Sequence, residues 1–256
     1  MYFNHFVQPE TVSEALSLAK QSGTVVLGGM MWLNLQKRTA ETAVDLSRLG
    51  LDRIESTPEG ILIGAYVTLR QMETDPALLD YTHGAVGKAL APIVGVQFRN
   101  TATVGGSVFG RFGFSDLSTL LTALGASVVL AEHGTVPMTS FLKEGAPRDL
   151  LTHILLPKNK PDAVVTFAQR NSATDFPALT SAFCLRGETL RVTVSPAPAR
   201  GETRDFSLSE ADSIPEKLAN ELKFDSNRLA SAAYRARLAG VFASRALEAI
   251  RKEKGE

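Results

Sequence analysis

Four glycines crowd one stretch of this chain. Residues 97–116 read Gln-Phe-Arg-Asn-Thr-Ala-Thr-Val-Gly-Gly-Ser-Val-Phe-Gly-Arg-Phe-Gly-Phe-Ser-Asp, with Gly105, Gly106, Gly110 and Gly113 between an apolar segment and a helix predicted over 117–124. Glycine admits positive φ and lets a ligand reach the backbone with no Cβ in the way. Ser115 or Asp116 stands where either would cap the predicted helix. Amides in such a loop, beside a helix N-terminus, suit an anion such as a phosphate. On these residues alone a tight structural turn serves equally well.

A second stretch tilts the balance toward a ligand. The β-branched run Thr24-Val25-Val26-Leu27 ends in Gly28-Gly29 and continues as Met30-Met31-Trp32-Leu33. Two strand-to-glycine transitions, distant in sequence, suit the clamping of a large two-ended ligand such as a dinucleotide. Neither has the G-x-G-x-x-G spacing, and no G-x-x-x-x-G-K-[ST] occurs. The nearest decoy, Gly84-Ala85-Val86-Gly87-Lys88-Ala89, has the wrong spacing and lacks the magnesium-binding hydroxyl. A phosphate bound here is bound by an unusual fold.

Composition narrows the class. A chain of 256 residues suits one large domain or two to three small ones, and its 44% apolar content is ample for a core. Lys+Arg and Asp+Glu are equal at 27 each, so no net field draws in nucleic acid or an anionic membrane. No run of about 18 apolar residues and no secretory leader is present, which predicts a soluble, cytoplasmic protein. The single cysteine, Cys184, sits in an apolar run and reads as a small buried hydrophobe. One cysteine makes neither an internal disulfide nor an iron–sulfur site, and His5, His83, His133 and His153 are scattered, so no metal site is expected.

The elements that must position the glycines follow from local pattern. Thr11-Val12-Ser13-Glu14 is a capping box opening a helix that Gly23 ends. Strands are predicted at 24–27, 43–47, 53–56, 60–65, 127–131, 135–138 and 150–156, a helical turn at 34–38, and short helices at 68–72 and 84–91. Pro157-Lys158-Asn159-Lys160-Pro161 is the best boundary in the chain. Beyond it, strands at 163–170, 178–186 and 189–194 without intervening helices predict an antiparallel meander. A loop at 195–201, a helix near 215–222, a long helix over 226–252 and a fraying tail at 251–256 complete the chain.

Together these residues resemble the flavin subunit of the molybdenum hydroxylases, the xanthine dehydrogenase and carbon monoxide dehydrogenase family, over nearly the whole chain. The resemblance rests on Phe6-Val7-Gln8-Pro9 with Ser13-Glu14-Ala15-Leu16, then Leu27-Gly28-Gly29, Asp45-Leu46, Ile63-Gly64-Ala65 and Thr68-Leu69. It continues through Arg99-Asn100, Ala102-Thr103-Val104-Gly105-Gly106, Asp116, Arg170, Asp175, Ala182 and Tyr234-Arg235. It implies an α+β protein: a two-subdomain FAD-binding fold of the vanillyl-alcohol-oxidase/PCMH type, then an α+β C-terminal domain with a small antiparallel sheet and helices. The implied boundaries are 1–157, with subdomains 1–52 and 53–157, and 162–256.

By the same resemblance Leu27, Gly28, Gly29, Met30, Met31 and Trp32 wrap the FAD pyrophosphate, and Thr103, Val104, Gly105, Gly106, Ser107 and Gly110 hold it from the other side. Asp116 accepts a hydrogen bond from the adenosine ribose, and Leu151 lies near the flavin ring. No catalytic acid or base is expected on this chain. Molybdopterin and [2Fe–2S] clusters belong to partner subunits, and electrons leave to NAD⁺, oxygen or a carrier. Ser107, Met30, Met31, Ala168 and the segment Arg111-Phe112-Gly113-Phe114 depart from the family pattern. Two other readings stay open: a self-contained flavin oxidoreductase, and an assembly subunit that has lost flavin.

Overall fold

A computed structural model describes residues 1–37, 39–144, 148–196 and 200–254. The chain opens with β1 (Tyr2–Val7), α1 (Val12–Ala19), β2 (Thr24–Leu27), β3 (Thr39–Asp45), β4 (Ile54–Thr57) and β5 (Gly60–Gly64). Six helices follow: α2 (Leu69–Thr74), α3 (Pro76–Tyr81), α4 (Ala85–Leu90), α5 (Val96–Arg99), α6 (Val104–Phe109) and α7 (Asp116–Ala123). Then come β6 (Ser127–Leu130), β7 (Gly134–Pro137), α8 (Met138–Glu144) and β8 (Leu151–Pro157). The remainder is β9 (Ala163–Arg170), β10 (Pro177–Arg186), β11 (Thr189–Ser195), β12 (Glu202–Ser207), α9 (Ile214–Glu221) and α10 (Ala232–Lys254). The mixture of helix and antiparallel sheet is the α+β class that the sequence led us to expect. Among the described residues no helix is long and apolar enough to cross a membrane.

The chain divides into two compact units. The first comprises Met1–Met72, Val96–Gly110 and Gly125–Lys158. In it a parallel sheet of order β1-β3-β2 stands beside a five-stranded antiparallel sheet of order β4-β5-β8-β6-β7. Helix α1 crosses from β1 to β2; Thr11 Oγ1 accepts the Glu14 N–H at 3.2 Å while Glu14 accepts the Glu10 N–H at 3.0 Å. That crossing is possible because Ala15 and Leu16 face a small core of Val44, Leu46, Leu51 and Leu150, against which Tyr66 also packs.

The second unit comprises Glu73–Gly95, Arg111–Leu124 and Asn159–Glu256. Its sheet has the order β12-β11-β10-β9, all antiparallel, so the expected meander carries one further strand. Helix α7 packs on one side of β10 and β11, and α10 packs against β9 and β10 through Phe242, Ala243, Ala246 and Ile250. Covered on both faces, β10 is buried along nearly its whole length and reads as a mostly apolar run interrupted by Thr180 and Ser181. Cys184 lies in that run, its thiol pushed up to about 11 by burial.

Several elements differ from expectation. The second glycine stretch is not a loop: Val104–Phe109 is helical despite two glycines, because Thr103 caps it and distant residues take its first amides. Helices α3, α5 and α8 and strand β12 were not legible; α3 owes its start to the Asp75 cap and Pro76. The helical turn is a 3₁₀ turn at Leu33–Leu35, with Arg38 outside the described residues. Strand β3 begins at Thr39 rather than 43. The long helix starts at Ala232 rather than 226, because Arg235, 1% exposed, ties down the segment before it. Its guanidinium donates to the Ala178 carbonyl at 2.8 Å and to Asn227 Oδ1 at 2.7 Å. The expected tail is helical through Lys254, while 255–256 and 197–199 of the expected loop lie outside the described residues.

Candidate functional site

The two glycine segments meet inside the first unit. Buried Leu27 closes β2, and Gly28 and Gly29 run directly against the entrance to α6. A Cβ on Gly28 would stand 2.6 Å from Thr103 Oγ1, and one on Gly29 would stand 1.9 Å from the Thr101 carbonyl oxygen. The Gly29 clash is with backbone that cannot yield, so that position needs glycine, while a side chain at Gly28 would push the Thr103 hydroxyl from its place as the cap of α6. Met30 then takes φ +58°, a left-handed conformation that costs a non-glycine residue roughly 1–2 kcal/mol. Its carbonyl accepts the Asn34 N–H at 2.9 Å, which turns Met31 and half-exposed Trp32 into the 3₁₀ turn.

Helix α6 faces this turn with its amides already engaged. Val104 N donates to the Val67 carbonyl and Gly105 N to the Ala65 carbonyl, each at 2.8 Å. Gly106 N donates to Thr103 Oγ1 at 3.2 Å, and Ser107 N to the Thr103 carbonyl at 3.0 Å. Ser107 Oγ also turns inward, donating to the Thr103 carbonyl at 2.8 Å. The amide grip expected from residues 103–107 therefore meets donors that have internal acceptors. Shape is what α6 offers. A Cβ on Gly105 would strike Ala65, but one on Gly106 would meet only Thr103 Oγ1, at 3.1 Å, so Gly106 leaves a Cβ-sized cradle. That cradle beside Gly28 fits the close approach of a diphosphate. Gly110 ends α6 as its C-cap, and Leu151 is buried at the start of β8, paired with Leu130.

Asp116 belongs to the second unit. Ser115, not Asp116, is the cap of α7, its hydroxyl accepting the Ser118 N–H at 3.1 Å. The Asp116 carboxylate instead receives Arg170 and Thr180. Burial pushes its pKa up, and the charge of Arg170 opposes that push. In the same unit Arg111 takes φ +47°, Phe112 stacks on Phe114 with ring centroids 5.3 Å apart, and Phe176 lies tilted against Phe114 at 4.3 Å. The segment Arg111-Phe112-Gly113-Phe114 thus contributes two rings to an aromatic cluster with Phe176. Ala168 is exposed on β9.

Sequence reasoning missed two arrangements. Tyr66, in no motif, carries its hydroxyl to the Leu27 carbonyl at 2.6 Å. Glu132, His133 and Asp149 come together with candidate metal-ligand atoms within 4.8 Å of one another, a grouping that the hairpin hides from the sequence. Asp149 there is committed to the turn: it accepts the N–H groups of Glu132, His133 and Leu150 and contacts His133 Nδ1 at 2.7 Å. Those hydrogen bonds outweigh its burial and hold its carboxyl below the usual range.

A parallel sheet feeding a glycine turn, packed on the entrance to a glycine-bearing helix, is the framework of a protein that binds a dinucleotide-type ligand. Residues 2–159 match the family described as the FAD binding domain in molybdopterin dehydrogenase. The chain belongs to that family of oxidoreductase components, and its cofactor is FAD. It is 28% identical over 177 residues to the nicotinate dehydrogenase FAD-subunit of Eubacterium barkeri, covering 62% of this chain and 59% of that protein. It is 34% identical over 119 residues to aldehyde oxidase 4 of Rattus norvegicus, covering 41% of this chain but only 9% of that far longer protein. Among solved structures, carbon monoxide dehydrogenase from Hydrogenophaga pseudoflava superposes with a TM-score of 0.85 at 20% identity, over 99% of this chain and 98% of that one.

Proposed function

We propose that this chain holds FAD as the electron-exit subunit of a molybdopterin-dependent dehydrogenase or hydroxylase. It takes electrons from iron–sulfur clusters on a partner subunit and passes them to NAD⁺, oxygen or a carrier protein. The observation that carries the reading is the cradle formed where Gly28-Gly29 pack on Thr101–Gly106 within a chain whose family is flavin-binding. When bound, the flavin supplies the redox chemistry; the protein contributes binding, orientation and electrostatics.

The residues that would hold it are Leu27, Gly28, Gly29, Met30, Met31 and Trp32 on one side and Thr103, Val104, Gly105, Gly106, Ser107 and Gly110 on the other. Leu151 would lie near the ring, and Asp116 would reach the adenosine ribose once its pairing with Arg170 allows. We assign residues 1–157 to the flavin domain and 162–256 to the C-terminal domain. The single cysteine supports placing the clusters outside these 256 residues, since a [2Fe–2S] cluster takes four ligands. A cytoplasmic location goes with that assembly.

Purification tests the reading directly. The chain should be yellow, or take up added FAD stoichiometrically, and its flavin should be reduced by substrate only when iron–sulfur and molybdenum subunits are present. A colourless chain that takes up no FAD overturns the proposal in favour of an assembly subunit. Reduction by a substrate with this chain alone overturns it in favour of a self-contained oxidoreductase.

A further inference from the structure

The first glycine turn is held from behind by a side chain in no motif. Leu27, the last residue of β2, faces Asp45 in the parallel register with β3. The next rung of that ladder is closed by the hydroxyl of Tyr66, which comes from outside both strands. Tyr66 Oη lies 2.6 Å from the Leu27 carbonyl oxygen and 2.7 Å from Asp45 Oδ1, and it accepts the Leu46 N–H at 3.1 Å. Tyr66 itself is anchored, its N–H donating to the Leu51 carbonyl at 2.8 Å and its ring packing on the small core of Val44, Leu46 and Leu51.

A phenol has one proton, and two acceptors face this one. The competition is mild because Asp45 has other donors: Gln8 Nε2 at 2.9 Å, Ser47 Oγ at 2.9 Å and Ser47 N at 3.0 Å. Those bonds and Tyr66 outweigh its burial and hold the Asp45 carboxyl below its ordinary value. Burial and the nearby carboxylate raise the Tyr66 hydroxyl far above its own, so it keeps its proton. A single shared proton therefore ties Leu27 to Asp45 whenever the carboxylate is charged.

The consequence lies one atom beyond the carbonyl. The Leu27–Gly28 peptide is trans, so its C=O and N–H point in opposite directions from one rigid plane. Drawing the Leu27 carbonyl toward Tyr66 turns the Gly28 N–H away from β3, on the glycine that lies beside Thr103 and Gly106. We infer that Tyr66, steadied by Asp45, is the positioning residue that aims the Gly28 amide at the dinucleotide's diphosphate before the ligand arrives. The assignment rests on the proposed FAD site, and it identifies a glycine amide turned away from β3, where those of α6 are internally bonded. An amide oriented in advance binds an anion without the ordering cost of finding its direction.

Tyr66→Phe removes the hydroxyl and leaves the ring in its core. In the flavin-free chain, hydrogen exchange over 24–33 should speed up by about five- to tenfold, the worth of one hydrogen bond, with the five-stranded sheet unchanged. FAD affinity should fall by a similar factor, about five- to tenfold. Val128→Ala, a core truncation in β6, serves as the control and should lower the melting temperature without that loss of affinity. Unchanged exchange over 24–33 in Tyr66→Phe overturns the inference, as does an equal loss of FAD affinity in the Val128→Ala control. If the parent chain takes up no FAD, the proposed function fails while the exchange measurement still decides whether Tyr66 orders the turn.

Discussion

Arg170 on β9 reaches across to Asp116 at the first turn of α7, Nη2 against Oδ2, and both side chains are less than a tenth exposed. A carboxylate so buried is tolerable only because a full opposite charge meets it. Strand β9 neighbours β10 in the sheet and helix α7 packs against β10, so the pair fastens helix to sheet within the second unit.

Removing one partner should cost more than removing both. Arg170→Met leaves a buried, uncompensated carboxylate and should destabilise the protein by about 3–5 kcal/mol in chemical denaturation. Adding Asp116→Asn to that variant should recover part of the loss. The same Asp116→Asn change in the parent tests the ribose contact: FAD weakened with FMN unaffected supports it, because FMN has no adenosine ribose. An equal effect on both flavins assigns Asp116 to the ion pair alone.

The loop glycines should sort into two behaviours. Gly29→Ala drives a Cβ to 1.9 Å from the Thr101 carbonyl oxygen, so expression and melting temperature should suffer. Gly106→Val meets only a movable hydroxyl and sits inside a helix, so the chain should fold and melt close to the parent. Its FAD affinity should nonetheless fall by more than about tenfold, because the side chain fills the approach that glycine leaves to a phosphate. Gly106→Val with full stoichiometric FAD would remove α6 from the site.

His153 should make stability depend on pH. Half-buried on β8, it has its pKa lowered from 6.5 by burial, with Glu55 opposing weakly. The folded state therefore binds this proton less readily than the unfolded chain does. Its contribution is fully present above pH 6.5 and is lost as the pH falls through that value toward the folded pKa. His153→Gln should flatten denaturation midpoints below pH 6.5, and an unchanged pH profile would assign the dependence to another group.

The isolated chain should accept electrons from a strong chemical reductant and oxidise no purine, aldehyde or carbon monoxide. Metal analysis should find no stoichiometric iron or molybdenum, as one cysteine cannot support a cluster. Stoichiometric iron bound to this chain would contradict the relay assignment.

Much was legible without coordinates. The two glycine segments, the Thr11 cap, the strand-turn-strand patterns and the lone cysteine are local properties, written in residue type and spacing. Their order along the chain was enough to suggest a flavoprotein family. What tertiary structure decided was where each group's partner lies. Residues 104–109 are helical because Val67 and Ala65 accept their first amides, and no local pattern announces acceptors from so far away. Gly29 must be glycine because of Thr101, and Asp116 serves Arg170 rather than the helix cap. Tyr66 aims an amide through the carbonyl of Leu27, a residue 39 positions earlier. Local sequence states which groups can turn, donate or accept; only the packed chain settles which of them meet, because burial obliges each polar group to find its partner wherever the fold has brought one.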